Sequence, residues 1–362
     1  MRALLGPQPQ MRHHFPRKRA VSRLAAFLFA LVIPDERAGN RGVQVRTWWI
    51  WPLGLIAAGM LWGWRPPATL SDAAFAARFA VPLPAPAQGL SVYHLGHSLV
   101  GRDMPAMLEQ LAQAAGITGH SHATQLGWGA SLDQHRTGEV PGFTQENTGP
   151  VHRPVAEALA SGDYGAVVLT EMVELRDAIR YHDSAAALAH WAKAARNGNP
   201  QVRVYLYETW HRLDDPDGWL TRIDTDLAAL WEGRLARPAM AVDGTGTVHI
   251  IPAGQALAAV VRAMEGGHVP GLTRREDLFA RMADGAADPI HLNDRGLYIV
   301  ALVHFATLYQ RPPDGLPHRL RRADGTLADA LPDQAVGPIQ SLVWQTVRGY
   351  APSGVPGHRG LR

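Results

Sequence analysis

The sequence contains no cysteine among its 362 residues. This absence excludes disulfide bonds, cysteine nucleophiles and metal sites built from thiolates. It does not decide the compartment, because a chain without cysteine folds in oxidising and in reducing surroundings alike. Apolar residues make up 46% of the chain, which is enough for a large core and indicates a folded protein. A chain of this length holds two average domains or one large α/β domain.

Most of the chain also lacks an excess of positive charge. The whole sequence has a formal net charge of +3, but residues 1–46 contain nine Arg or Lys residues and only two acidic residues. Residues 47–362 therefore carry a net charge of −4. Because the body of the chain has no basic excess, we expect no nucleic-acid partner.

Two apolar runs near the N-terminus predict targeting. Residues 24–33 follow a basic stretch and are too short to span a bilayer, whereas residues 48–64 form a run of 17 residues without a charge, with tryptophans at both ends. The basic residues before this run predict a single-pass anchor in the cell membrane, with the body exported to the periplasm. Secretion after cleavage of a signal peptide is one alternative, since small residues follow at 73–77. A buried apolar helix is another.

Short apolar strands alternate with helices over the rest of the chain, which predicts βαβ units around a parallel sheet. The predicted strands are residues 90–95, 120–126, 165–170, 202–207 and 248–251, and the principal predicted helices are residues 104–115, 151–161, 183–196, 219–231, 254–264 and 297–308. We divide the chain into an N-terminal anchor or signal region (1–65), a Pro-rich linker (66–89), an α/β domain (90–310) and a mostly irregular C-terminal extension (311–362). The extension contains one further possible helix, near residues 338–347.

Three polar residues are the candidates for chemistry. Asp288 and His291 stand three residues apart, just before the last helix of the α/β domain. An Asp so close to a His can fix the tautomer of the imidazole and stabilise its protonated form, as a general base requires. Ser98, 193 residues upstream and directly after the first strand, is the best candidate for the matching nucleophile. Since ligands of a parallel sheet bind beyond the carboxyl ends of its strands, we expect Ser98 and His291 to meet at that edge.

Each of these residues alone has an ordinary structural explanation. Ser98 could cap the helix that follows it, and His291 could be a structural histidine hydrogen-bonded to Asp288 or Asp294. An α/β-hydrolase is not favoured, because its nucleophile turn is Gly-x-Ser-x-Gly and the glycines around Ser98 are one residue too far apart. The histidines at positions 94, 97, 120, 122 and 135 include no recognised set of metal ligands, so we expect neither a metal nor another cofactor.

With these residues in place, the chain resembles the SGNH (GDSL-type) hydrolases over about residues 90–310. Their Gly-Asp-Ser-Leu turn corresponds to Gly96-His97-Ser98-Leu99, with a histidine in place of the acidic residue, and their Asp-x-x-His block corresponds to Asp288-Pro-Ile-His291. The resemblance implies a flavodoxin-like three-layer α/β/α sandwich with a five-stranded parallel sheet. It also implies a catalytic triad of Ser98, His291 and Asp288.

The resemblance further implies an oxyanion hole made by the backbone N–H groups of Ser98 and Gly129, with Gly127 as the alternative to Gly129. The family's Gly-x-Asn-Asp block has no counterpart after the third strand, where the sequence is Thr170-Glu-Met-Val-Glu174, so an asparagine donor is missing. An ionised carboxylate cannot donate a hydrogen bond, so we expect Glu171 to contact the substrate instead. The other expected substrate contacts are His97, Trp210 and His211.

The resulting prediction is a membrane-anchored serine esterase that hydrolyses an O-acyl ester on a small molecule or a glycan, with an acetylated glycan as one example. An O-acyltransferase that acts on envelope or exported polysaccharide would use the same serine chemistry and is an alternative. A non-catalytic binding or assembly protein on the same scaffold is a third hypothesis. The missing asparagine favours that third hypothesis, whereas the presence of Ser98, Asp288 and His291 opposes it.

Overall fold

A computed structural model of the chain describes residues 68–357. The predicted anchor or signal region, residues 1–65, lies outside the described residues. Within residues 68–357, no helix is both long enough and apolar enough to cross a membrane.

A five-stranded parallel sheet forms the centre of the described chain, and each of its strands lies within two residues of a predicted one. The strands are β1 (Ser91–His97), β2 (Ser121–Gly127), β3 (Ala166–Leu169), β4 (Arg203–Glu208) and β5 (Val248–Pro252). Their order across the sheet is β2-β1-β3-β4-β5, and all neighbours run parallel. This is the flavodoxin-like order. From β1 the chain continues to β2 on one side, and it then crosses to β3 on the other side of β1. A crevice therefore opens between the ends of β1 and β3.

Both faces of the sheet are buried. Successive apolar side chains of each strand point to opposite faces, and helices cover both faces. On β4, Val204 and Leu206 belong to one hydrophobic cluster, while Tyr205 and Tyr207 belong to the other. The helices divide between these two clusters. The predicted three-layer α/β/α sandwich with a five-stranded parallel sheet is therefore confirmed.

The predicted helices are all present, although several begin or end a few residues away from their predicted bounds, and the described chain contains four further short helices. They are Asp72–Ala77, Asp103–Ala114, Leu132–Thr137, Phe143–Glu146, Val155–Ser161, Leu175–Tyr181, Ser184–Gly198, Trp219–Asp226, Ala253–Glu265, Asp294–Tyr309 and Asp333–Gly349. The helix that begins at Trp219 continues through π-helical turns over Leu227–Ala236 to a last turn at Arg237–Met240. Single 3₁₀ turns occupy Arg275–Leu278 and Ala351–Ser353.

A two-stranded antiparallel ribbon, which the sequence analysis did not predict, carries Asp288 and His291. Its strands are β6 (Phe279–Arg281) and β7 (Ala287–Leu292), with Phe279 opposite Leu292. Residues 287–291 of β7 are only partly buried or exposed, so they lack the apolar run that identified the strands of the main sheet. The ribbon leads directly into the helix Asp294–Tyr309, whose start is capped by Asn293.

The two segments that flank the predicted α/β domain pack against it. In the linker, the side chains of Phe75 and Phe79 are buried. In the C-terminal extension, the helix Asp333–Gly349 buries Ile339, Val343 and Val347 in the same hydrophobic cluster as the helix Asp294–Tyr309. The extension is therefore only partly irregular, and it completes the core on that side.

Candidate active site

A chain of hydrogen bonds joins Ser98, His291 and Asp288. The Oγ atom of Ser98 lies 3.0 Å from Nε2 of His291. On the other side of the imidazole, Nδ1 of His291 lies 3.2 Å from Oδ1 and 3.1 Å from Oδ2 of Asp288. An ionised carboxylate can only accept, so Nδ1 carries the proton and Nε2 is free to accept the hydroxyl proton of Ser98. The two ends of the α/β domain thus meet as the sequence predicted.

The carboxylate of Asp288 is held in its ionised form. Partial burial raises the pKa of Asp288, but hydrogen bonds from the backbone N–H groups of His291 and Ile290, each 2.8 Å from Oδ1, outweigh this effect and leave the pKa below its usual value. The same two bonds fix the orientation of the carboxylate. The side chain of His291 is 46% exposed, so a substrate can reach the imidazole from solvent.

Ser98 does not cap a helix. It begins a turn that continues to Arg102, and the helix that follows starts only at Asp103 without a side-chain cap. Gly96 lies two residues before Ser98, where β1 runs close to β3, and a Cβ atom there would stand 2.7 Å from Cβ of Thr170. The structural explanation for Ser98 as a helix cap is therefore excluded, and the hydroxyl is free to bond to His291.

Two buried histidines brace the backbone around Ser98. Nε2 of His97 lies 2.9 Å from the carbonyl oxygen of Glu171, and Nε2 of His135 lies 2.8 Å from the carbonyl oxygen of Gly96. A carbonyl oxygen only accepts, so each imidazole donates from Nε2. Burial lowers the pKa of both His97 and His135 to about 4, which keeps them neutral near pH 7.

The turn after β2 lies beside the turn after β1. His97 and Gly127 are register partners at the ends of these neighbouring strands, so the chain from residue 128 starts next to Ser98. Gly129 is exposed and has a φ of +54°, a left-handed conformation that glycine adopts at little cost. Gly127 is buried and leaves little room, since a Cβ atom there would stand 2.4 Å from Cγ1 of Val140. Gly129 is therefore the more accessible of the two glycines, and its role as an oxyanion donor stays a prediction.

Glu171 is fully buried and faces the turn after β2 instead of solvent. Its Oε1 atom accepts hydrogen bonds from the backbone N–H groups of Leu132 at 3.2 Å and Met172 at 2.8 Å. Burial raises the pKa of Glu171 to about 7. The expected contact with substrate is not supported, because the side chain has no exposed surface. Glu171 instead connects two turns. Its carbonyl oxygen accepts from His97, the neighbour of Ser98, and its carboxylate accepts from the N–H of Leu132, three residues after Gly129.

The other expected substrate contacts are buried as well. Nε1 of Trp210 donates to the carbonyl oxygen of Ile290 at 2.7 Å, which ties β4 to the strand that carries His291. Nε2 of His211 lies 3.3 Å from Oδ2 of Asp226, beside the buried guanidinium of Arg222. His97, Trp210 and His211 are each at most 2% exposed, so none of these side chains offers a surface to a substrate.

The remaining histidines of interest do not converge on a metal site. The ring of His94 lies 6.0 Å from that of His304, Nδ1 of His120 lies 2.5 Å from Oη of Tyr309, and Nδ1 of His122 lies 3.2 Å from a carboxylate oxygen of Glu109. Among residues 68–357, no group of three or more His, Asp or Glu side chains is placed to hold a metal ion.

Sequence reasoning missed three residues next to the site. They are His135, which the sequence places only among the histidines without a recognised set of metal ligands, and Trp128 and Arg102, which no sequence pattern singles out. The guanidinium of Arg102 donates to the carbonyl oxygens of Gln145 and Glu146 at 3.0 and 2.8 Å, which fastens the loop beside the site. No sequence motif marks these contacts, because each joins segments far apart in the chain.

Comparisons with known proteins add a limited likeness. No family model matches the chain, and no curated protein matches it. A solved structure described as a GDSL-like lipase from Parabacteroides merdae is 11% identical and covers 62% of this chain and 96% of its own, with a TM-score of 0.38. The structure of phospholipase A1 from Streptomyces albidoflavus is 14% identical and covers 56% of this chain and 92% of its own, with a TM-score of 0.25. The assignment of the fold therefore rests on the strand order and layers of the chain itself.

Proposed function

We propose that the protein is a serine esterase of the SGNH type that hydrolyses an O-acyl ester through Ser98, His291 and Asp288. The observation that carries this proposal is the distance of 3.0 Å between Oγ of Ser98 and Nε2 of His291, at the carboxyl edge of the sheet. A purely structural serine has no need of an imidazole that is itself oriented by a carboxylate. The partly exposed position of all three side chains also supports access by a substrate.

The reaction would proceed in two halves. The hydroxyl of Ser98 attacks the acyl carbon while Nε2 of His291 takes its proton, and Asp288 stabilises the resulting imidazolium. His291 then returns the proton to the leaving alcohol, and a water molecule hydrolyses the acyl-serine by the same steps. The backbone N–H groups of Ser98 and Gly129 would stabilise the oxyanion. One such donor typically contributes about 3 kcal/mol, so an esterase without the family's asparagine donor would be slower but active.

The proposed setting of this activity is the periplasmic side of the cell membrane, as the N-terminal sequence predicts. An O-acyltransferase would use the same three side chains with a sugar hydroxyl in place of water. Analysis of the products formed in the presence of a glycan acceptor would distinguish transfer from hydrolysis.

Labelling by a fluorophosphonate probe tests the nucleophile directly. We expect the full-length protein to be labelled and the Ser98→Ala variant to remain unlabelled, because the probe reacts with a serine that is activated by a base. Ser121→Ala is the matched control, since Ser121 is an exposed serine at the opposite end of the strands, and its hydroxyl donates to the hydroxyl of Ser91. Equal labelling of the Ser98→Ala variant would exclude Ser98 as the nucleophile.

A further inference from the structure

Trp128 is a large exposed apolar side chain next to the candidate nucleophile. The residue is 41% exposed. It directly follows Gly127, the register partner of His97, while Ser98 directly follows His97. Neighbouring strands lie about 4.8 Å apart, so Trp128 and Ser98 leave the sheet side by side. The next residue along the chain is Gly129, the candidate oxyanion donor. The exposed indole therefore belongs to the same edge of the sheet as Ser98, on the turn next to it.

The indole is held in one orientation before any ligand binds. Its Nε1 atom donates to Oε1 of Glu146 at 2.7 Å, and the backbone N–H of Trp128 donates to the carbonyl oxygen of Pro141 at 2.7 Å. The ring packs against Gly142, where a Cβ atom would stand 2.2 Å from Cδ2 of the indole. Gly142 also has a φ of +65°, so glycine is favoured there on two grounds.

The loop behind the indole is fastened to the nucleophile turn. Arg102, at the end of that turn, bonds to the carbonyl oxygens of Gln145 and Glu146. The side chain of Asn147 forms hydrogen bonds with both the N–H and the carbonyl oxygen of Leu126. A ring fixed in this way loses little conformational entropy when it binds a ligand, which favours affinity.

The surroundings of the indole indicate what would bind to it. Its only donor is already used by Glu146, so the exposed part of the ring offers apolar contact. The neighbouring loop exposes the polar side chains of Thr144, Gln145 and Thr148, together with the apolar Pro141 and Phe143, of which Phe143 packs its ring against His152. An apolar ring surface with a polar border complements a sugar, which presents C–H groups on its ring faces and hydroxyl groups at its edges. A long acyl chain would instead require a border without the polar side chains of Thr144, Gln145 and Thr148.

We propose that Trp128 forms a stacking subsite for a sugar ring of the substrate, and that the ester cleaved at Ser98 is therefore carried by a glycan. This inference rests on the esterase activity proposed above and names its substrate class. Trp128 acts here as a specificity-determining residue, since it offers no group that takes part in proton transfer or attack.

Kinetics on three esters test the subsite in the full-length protein. The substrates are an O-acetylated xylo-oligosaccharide, 4-nitrophenyl acetate and 4-nitrophenyl octanoate. We expect Trp128→Ala to raise KM for the oligosaccharide about tenfold, since one aromatic contact contributes on the order of tenfold in affinity. The kcat/KM for 4-nitrophenyl acetate should change by less than about twofold, and Trp128→Phe should retain most of the oligosaccharide activity.

Phe143→Ala is the matched control, because Phe143 is 39% exposed on the same loop but packs its ring against His152, with 5.6 Å between the ring centroids. It should leave the KM for the oligosaccharide unchanged. Equal losses on all three esters, a loss confined to the octanoate, or no loss at all in Trp128→Ala would each overturn the sugar subsite.

A binding measurement separates failure of the subsite from failure of the esterase proposal. Titration calorimetry of the Ser98→Ala variant with deacetylated neutral and acidic oligosaccharides requires no catalysis. We expect binding that the additional change Trp128→Ala weakens about tenfold. Absence of binding, or binding that is indifferent to Trp128, overturns the subsite. If the esterase proposal were wrong, the wild-type protein would neither hydrolyse any of the esters nor react with the fluorophosphonate.

Discussion

At the scale of single residues, the site combines one exposed hydrogen-bonded chain with a buried layer that positions it. Ser98, His291 and Asp288 form the exposed chain. His97 and Glu171 lie beneath it and connect the turns that follow the first three strands. This division separates residues whose replacement changes chemistry from residues whose replacement changes geometry.

Replacing Asp288 by asparagine tests the chemical role of the carboxylate. The amide oxygen can still accept from the N–H groups of Ile290 and His291, so the local fold should be retained. It cannot stabilise an imidazolium, and we expect kcat to fall by about 10³ to 10⁴ with little change in thermal stability. Esterase kinetics and a thermal melt measure the two effects.

The matched control is Asp214→Asn, which alters an exposed carboxylate that pairs with Arg212. It should leave kcat unchanged. A fall in kcat of less than tenfold in Asp288→Asn would contradict the assigned role of Asp288.

The sequence identified the exposed chain but misjudged the buried layer. Ser98, Asp288 and His291 could be found because two short motifs place them at strand and helix boundaries. His97, Glu171, Trp210 and His211 also follow strands, and this position alone suggested contact with substrate. Strand ends carry buried supports as well as exposed ligands, and the two differ only in the direction of the side chain, which depends on packing between distant segments.

At the scale of secondary-structure elements, the position of His291 depends on how the ribbon β6–β7 meets the helix Asp294–Tyr309. Gly296 in the first turn of this helix is tightly packed, since a Cβ atom there would stand 2.6 Å from the carbonyl oxygen of Leu278 and 2.8 Å from Cβ of Leu292. Both neighbours belong to or adjoin the ribbon. The helix and the ribbon can approach each other this closely only with glycine at position 296.

We expect Gly296→Ala to destabilise the protein by about 1–3 kcal/mol, because the added methyl group forces the ribbon and helix apart. It should also lower kcat, since His291 moves with the ribbon. Denaturant unfolding and esterase kinetics report the two effects.

Gly349→Ala is the comparison for Gly296→Ala, because a Cβ atom at this exposed position near the end of the last helix would meet no atom within 4 Å. Stability in that variant should be unchanged or slightly higher. If the two variants were equally stable, the protein would accommodate a methyl group at position 296 without losing stability, and the prediction would be wrong.

The elements of the main sheet were predictable, whereas the ribbon was not. Each main strand is an apolar run buried on both faces, which gives a clear sequence signal. Residues 287–292 combine Asp, Pro and His with few apolar positions, and their strand conformation depends on pairing with Phe279–Arg281. The strand conformation of the segment that carries His291 thus depends on its pairing with β6.

At the scale of the whole molecule, the helix Asp294–Tyr309 is the centre of one layer. Residues 298–309 are all buried. A helix that is apolar on all sides must be covered on all sides. The sheet, the helix Asp103–Ala114 and the C-terminal helix Asp333–Gly349 provide that cover. The apolar run predicted the helix, but its complete burial required the extension that the sequence analysis described as mostly irregular.

Burial of ionisable side chains predicts a stability maximum near pH 6.5. Several buried histidines have a pKa lowered by burial to about 4, namely His97, His120, His135, His249 and His304. Between the ordinary value of 6.5 and about 4 the unfolded chain binds more protons, so stability falls as the pH is lowered through this range.

Burial raises the pKa of Glu171 to about 7 and that of Glu208 to about 8. From the ordinary value of 4.5 upward the folded protein binds more protons at these two groups, so their contribution is lost as the pH rises toward 8.

Thermal melts from pH 4 to pH 9 measure this curve. The acid side should be the steeper one, since five histidines oppose two carboxyl groups. Glu171→Gln should reduce the decline above pH 6.5, because the amide keeps the acceptor for Leu132 and Met172 but does not ionise. A melting temperature that stays constant from pH 4 to pH 8 would contradict this prediction.

The proposed nucleophile and the proposed base are positioned by two separate sheets. Ser98 follows β1, which lies second in the five-strand order, whereas His291 lies on a ribbon that is tied to the chain after β4 by the Trp210 indole and by a hydrogen bond from the N–H of Leu213 to the carbonyl oxygen of Pro289. The ribbon that carries His291 could therefore move relative to Ser98 without a change in the main sheet. A displacement of the ribbon by a single ångström would switch off the chemistry while the core remained intact, so catalytic competence should be lost under milder conditions than the native fold.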